Sequence, residues 1–100
     1  MTLHPFTITI PQADLDDVKI RLKNTRWPDE EQGAGWSMGA NLSDMKALVD
    51  YWQHTYDWRT QEEKLNAWPH FRATINGTTI HFLQVKSKNL DAKPLLLVHG

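Results

Sequence analysis

Five histidines, no cysteines and the adjacent glutamates Glu62 and Glu63 set the range of chemistry open to this hundred-residue chain. His99-Gly100 directly follows the apolar run Leu95-Leu96-Leu97-Val98. A glycine at the carboxyl end of a buried strand marks a turn where backbone comes close to something else. In open α/β sheets, ligands bind just beyond such strand ends. His70 and His81 could be imagined as a zinc pair, but no third ligand is spaced to join them. They are expected to be ordinary sheet-surface histidines. Glu62 and Glu63 could be imagined as paired catalytic carboxylates, but neighbouring helical positions point about 100° apart and do not converge. Asp14, Asp16 and Asp17 read as solvated charge rather than a metal site. Gly33, Gly35 and Gly39 are not followed by the Gly-Lys-Ser/Thr ending of a phosphate loop. Without cysteine there is no disulfide framework, thiolate metal site or cysteine nucleophile. No cofactor and no metal is expected.

The elements that would position these residues follow from periodicity. Pro5 to Pro11 alternates apolar and polar residues between prolines and predicts a short edge strand or extended segment. Leu15, Val18 and Leu22 share one face of a helix over about 12–23, with acids early and bases late, as the helix dipole favours. Pro28 pushes Trp27 out of the helical region. A glycine-punctuated loop follows and carries Trp36. Ser43 is the expected N-cap of a second helix over about 44–55, whose spine is Met45, Leu48, Val49, Trp52 and Tyr56. Asp57 caps a third over about 58–67, with Trp58, Leu65 and Trp68 apolar and Gln61, Glu62, Glu63 and Lys64 on its solvated side. Asn76-Gly77 between two β-rich runs predicts a hairpin over about 71–86 with a type I′ turn. That register pairs Ile75 with Thr78, Ala73 with Ile80, and Phe71 with Phe82, and sets His81 opposite Arg72. The unbroken apolar run predicts a strand over about 94–98 buried on both faces.

Length and composition narrow the classes. One hundred residues make one small domain or part of a larger one. Eleven basic residues against twelve acidic ones argue against a nucleic-acid surface. No signal peptide is read at the start, and the longest pure apolar run is far short of a membrane span. A soluble cytoplasmic chain is therefore expected. Five tryptophans are many for this length. Trp27 with Pro28, Trp36, Trp52 and Trp58 read as packing anchors against a core or a neighbouring domain.

In order and spacing, Pro5-Phe6-Thr7-Ile8, Asp14-Leu15, Arg21-Leu22, Thr25-Arg26-Trp27-Pro28-Asp29, Tyr51-Trp52, Tyr56-Asp57-Trp58-Arg59, Gln61-Glu62, Leu65-Asn66, Ile80-His81-Phe82 and Leu95 to Gly100 resemble the N-terminal region of microsomal-type epoxide hydrolases. The resemblance covers essentially the whole chain from Pro5. It implies an α/β fold: an N-terminal helical meander over 1–69, then the first strands of an α/β-hydrolase core over 70–100. By the same resemblance, His99-Gly100 matches the first half of a His-Gly-x-Pro oxyanion-hole turn. That family attacks an epoxide carbon with an Asp on a nucleophile elbow, while two lid tyrosines hold the ring oxygen and a His activates water. No elbow of the Gly-x-Asp-x-Gly or Gly-x-Ser-x-Gly kind is expected in these residues. Tyr51 and Tyr56 lie in the meander and receive no catalytic role. The membrane anchor of some members precedes this region, and no anchor is expected in the few residues before Pro5. The chain is thus expected to be the N-terminal portion of an epoxide-hydrolase-like enzyme, inactive alone, with the remainder of a hydrolase core as its partner in cis or as a separate chain. Two other readings stay open: a fragment of an α/β-hydrolase acting on esters, lactones or haloalkanes, and a non-catalytic interaction module.

Overall fold

The computed structural model describes residues 2–100. The chain divides into two compact units. One is the continuous segment Ile8–Glu63. The other combines the N-terminal residues through Thr7 with Lys64–Gly100.

The continuous unit is helical. Helix α1 spans Gln12–Lys23, as the spacing of Leu15, Val18 and Leu22 predicts. Pro11 precedes it and accepts the Asp14 N–H at 3.0 Å. Pro11 suits a helix start because it has no N–H of its own to leave unpaired. Helix α2 spans Leu42–His54, two residues earlier than expected at its start. Its N-cap is Asn41 rather than Ser43. The Asn41 side chain accepts the Asp44 N–H at 3.1 Å, and the Glu30 carboxylate accepts the Leu42 N–H at 2.9 Å. Two of the orphan donors in the first turn are thereby met upstream of Ser43. Helix α3 spans Trp58–Asn66 and has Asp57 as its cap. One Asp57 oxygen accepts the Arg59 N–H and the other the Thr60 hydroxyl.

The other unit is built on a three-stranded antiparallel sheet, β1 (Leu3–Phe6), β2 (His70–Ile75) and β3 (Thr78–Leu83), in the order β1-β2-β3. The β2–β3 register is the predicted one, with Phe71 opposite Phe82, Arg72 opposite His81, Ala73 opposite Ile80 and Ile75 opposite Thr78. Asn76 and Gly77 both take positive φ, 50° and 80°, as a type I′ turn requires. β1 pairs with the free side of β2, placing His4 opposite Arg72 and Phe6 opposite His70. Pro5 sits on this edge strand, where its missing N–H costs least. Of the edge strand or extended segment predicted over Pro5–Pro11, only Pro5 and Phe6 lie in the strand, and residues 7–11 leave the sheet. Part of the reason is that the Ile10 N–H is bonded to a side-chain carboxylate instead of a ladder partner.

Apolar burial is sparse. Ala73, 1% exposed, is the one fully buried apolar residue among those described. The run predicted as a buried strand over 94–98 lies in no strand and does not pair with the hairpin. Leu95, Leu96, Leu97 and Val98 are each between 78% and 85% exposed. Such a run makes a buried strand only where neighbours cover both its faces.

Candidate functional site

Within the helical unit, α1 and α2 face each other across an apolar groove of about 610 Å³. Leu15, Val18 and Leu22 line it from α1, Leu48, Tyr51 and Trp52 from α2, and Tyr56 and Trp58 follow in sequence. Of the residues read as the helices' apolar faces, Leu15, Val18, Leu22, Leu48, Trp52 and Tyr56 line it, whereas Met45 and Val49 do not. The anchors divide by exposure. Trp27 and Trp58 are half-buried, whereas Trp36 and Trp52 stand largely in the open. Trp36 donates its indole N–H to Asp44 at 2.8 Å. Pro28 lines a smaller hollow in the loop before α2.

Glu62 departs from expectation. It does not lie on a solvated helix side but is buried, 9% exposed. Its carboxylate accepts the Ile10 backbone N–H at 2.8 Å, the Trp58 indole N–H at 2.9 Å and the Arg59 guanidinium at 2.8 Å. Arg59 also reaches the Gln12 side-chain oxygen at 3.3 Å. The Ile10 N–H does most to hold the Glu62 carboxyl below the usual carboxylate range. Burial opposes that shift, and the Arg59 and Trp58 donors reinforce it. A carboxylate held ionised by three donors is a poor proton carrier, so this cluster is a structural hub. Its sequence signal was available: Trp58 and Arg59 precede Glu62 by four and three residues, the spacing at which helix side chains meet.

The two histidines of the sheet also differ from expectation. His70 is buried, 7% exposed, rather than at the sheet surface. Its Nδ1 lies 2.9 Å from Nε2 of His81, and its Nε2 lies 2.7 Å from the Leu65 carbonyl oxygen. The ring centroids are 5.1 Å apart. The facing nitrogens are thus the nearest parts of the two rings. Phe6 meets His81 edge-on at 5.1 Å, and the Arg72 guanidinium lies 3.6 Å from the Phe6 ring centre. Among the described residues, no three His, Cys, Asp or Glu side chains gather as a metal site.

His99 and Gly100 are exposed, and His99 Nδ1 lies 3.3 Å from the Gly100 carbonyl oxygen. One letter pattern escaped the sequence reading. Gly35-Trp36-Ser37-Met38-Gly39 spells Gly-x-Ser-x-Gly. A working elbow needs a strand-to-helix turn that holds the serine up to a base. Here the five residues lie in a run of turns and bends between α1 and α2, and the Ser37 hydroxyl donates to the Ala34 carbonyl at 2.6 Å. No helix among the described residues is long and apolar enough to cross a membrane.

Comparison with known proteins bears on the whole of this arrangement. A family model described as "Epoxide hydrolase N terminus" matches residues 3–100. A relative from Stigmatella aurantiaca, named "Putative epoxide hydrolase", is 47% identical over 96 residues, which are 96% of this chain and 22% of the relative. The structure of Aspergillus niger epoxide hydrolase superposes with a TM-score of 0.83 at 29% identity, covering 92% of this chain and 25% of that one. Juvenile hormone epoxide hydrolase from the silkworm Bombyx mori gives a TM-score of 0.81 at 28% identity, covering 90% of this chain and 24% of that one. The chain therefore spans about a quarter or less of the length of these relatives and corresponds to the N-terminal part of larger hydrolases.

Proposed function

Because this chain belongs to the epoxide hydrolase N-terminal family, we propose that it is the structural N-terminal portion of an epoxide-opening hydrolase, inactive by itself and completed by the rest of a hydrolase core. The observation that carries this reading is the apolar surface. The groove between α1 and α2, Trp36 and Trp52, and Leu95 to Val98 leave large apolar side chains exposed, as a surface awaiting a partner does. A hydrolase core joined in cis, or supplied as a second chain, would cover it. In that setting the turn at His99-Gly100 would enter an oxyanion hole, where one backbone donor is worth about 3–4 kcal/mol in other enzymes.

Hydrolysing an epoxide to a diol needs a nucleophile aimed at a ring carbon, a base for water and donors to the ring oxygen. The hub at Glu62 is committed to structure, and Ser37 is bonded to a carbonyl rather than to a base. The test is to purify residues 1–100 and assay diol formation from a styrene-oxide-type substrate beside a full-length relative. No turnover above the buffer rate is expected, and a serine-directed fluorophosphonate probe should leave Ser37 unlabelled. Turnover by the isolated chain would overturn the reading. Labelling of Ser37 would move it to an ester hydrolase.

A further inference from the structure

From the contacts of His70 and His81 we propose that the two imidazoles form an acid-released clasp, tying the end of α3 to the β2–β3 hairpin through a hydrogen bond that survives one added proton and not two. The proton inventory follows from the geometry. The Leu65 carbonyl only accepts, so His70 Nε2 carries a hydrogen and donates to it at 2.7 Å. In neutral His70 the other nitrogen, Nδ1, is then a bare acceptor. His81 must meet it with Nε2–H, across 2.9 Å. The chain Leu65 carbonyl, His70, His81 thus fixes one tautomer of each ring at the contact.

Adding one proton keeps the contact. On His81 it goes to Nδ1, and Nε2–H still donates to His70, now as a charge-assisted bond. On His70 it goes to Nδ1, which then donates to His81 once that ring changes tautomer. A second proton removes the only acceptor and sets two imidazolium ions nitrogen to nitrogen. The surroundings worsen that state. Arg72 lies opposite His81 in the β2–β3 register, and His4 lies opposite Arg72 on β1, so the titratable and charged groups of β1, β2 and β3 beside the pair are all basic. On α3, which meets His70 through the Leu65 carbonyl, the charged residues next to Leu65 are Glu63 and Lys64, both exposed. Among the described residues, no carboxylate pairs with either ring. Phe6 packs edge-on against His81 and offers no acceptor.

The geometry also tells against a metal ion. Two histidine ligands point their lone pairs at a common third atom. Here the rings meet at 2.9 Å, the distance of a direct hydrogen bond, with the centroids farther apart. The chemical partner of this site is the proton.

Imidazole nitrogen NMR on the ¹⁵N-labelled 100-residue chain tests the clasp. At about pH 7.5 a through-bond coupling should link His70 Nδ1 and His81 Nε2. It should vanish in acid, once both rings carry a proton. Amide protection at Phe71 and Phe82, a hydrogen-bonded pair of the β2–β3 ladder, corrected for intrinsic exchange, should fall roughly tenfold over the same interval. His81→Gln keeps an N–H donor that does not titrate, and its protection should show no acid step. Absence of the coupling at neutral pH, its persistence with both rings charged, or an equal acid step in His81→Gln would overturn the proposal. The wild-type coupling decides the matter even where the variant does not fold.

Discussion

Glu62 in the helical unit and His70 in the sheet unit are the two buried polar side chains of the described residues, and they are held in opposite ways. Glu62 keeps its charge because three donors converge on it, from a backbone amide, an indole and a guanidinium. His70 has one carbonyl and one neighbouring ring, and its bonds depend on which nitrogens carry hydrogens. A buried ion surrounded by donors tolerates a broad range of conditions. A buried imidazole pair keeps its bond when neutral or with one added proton, but not with two. Burial alone therefore says little about robustness; the supply of partners decides it.

The strongest way to break this comparison is Glu62→Ala. It strands the Ile10 and Trp58 N–H groups and leaves Arg59 without its carboxylate, and removing one partner of a buried set costs more than the bond itself was worth. We expect the largest loss of Tm of any single change discussed here, with Glu62→Gln intermediate because one acceptor oxygen remains. The pH dependence sharpens the contrast. The folded-state pKa of Glu62 lies below its unfolded value, so its stabilisation is complete above the ordinary carboxylate range. That stabilisation is lost as pH falls through the lower, folded value. Thermal melts of wild type and Glu62→Gln should therefore differ at pH 7 and converge at strongly acid pH. Curves that coincide at pH 7 would remove Glu62 from its role.

A smaller effect probes packing instead of polarity. Ala73 is the buried apolar point of the sheet, and Ala73→Leu must push strands or side chains aside. Urea unfolding should show a loss of about 1–3 kcal/mol. The smallest effect compares two caps. Asn41→Ala should cost about 1 kcal/mol, because Asn41 accepts the Asp44 N–H. Ser43→Ala lies inside the first turn and should change stability by no more than about 0.5 kcal/mol. The reverse ranking in the same unfolding experiment would restore Ser43 as the cap.

Local signals in the sequence were read well where one short stretch carries its own instructions. Asn76-Gly77 specified the turn, and with it the pairing of every residue from His70 to Leu83. The spacing of Leu15, Val18 and Leu22 placed α1 residue for residue. What escaped depended on partners distant in sequence. Nothing near Glu62 announces that Ile10 will donate to it, and nothing near Leu3 announces pairing with Ala73. Asn41 was missed because Ser43 is also a good cap; the Glu30 carboxylate, twelve residues before Leu42, favours the earlier start. The apolar run at 95–98 shows the converse limit. Its composition describes a buried strand, yet the strands that would cover it are not supplied within the described residues.

The bond from Ile10 to Glu62 has a consequence for the order of folding. β1 and β2 pair across a long excursion, since Phe6 lies opposite His70. Such a non-local contact is slow, because loop entropy must be spent before any pairing is gained. The excursion is mostly the helical unit, and the Ile10–Glu62 bond closes its two ends on each other. Once that closure has formed, only the short arms outside it remain free, and β1 searches for β2 as though the chain between them were a small loop. The hairpin and the helices, being local, are expected to form first, and the edge strand last through that closure. In a chevron experiment Glu62→Ala should therefore act mainly on the refolding arm. An effect confined to unfolding would place the closure after β1 has already paired.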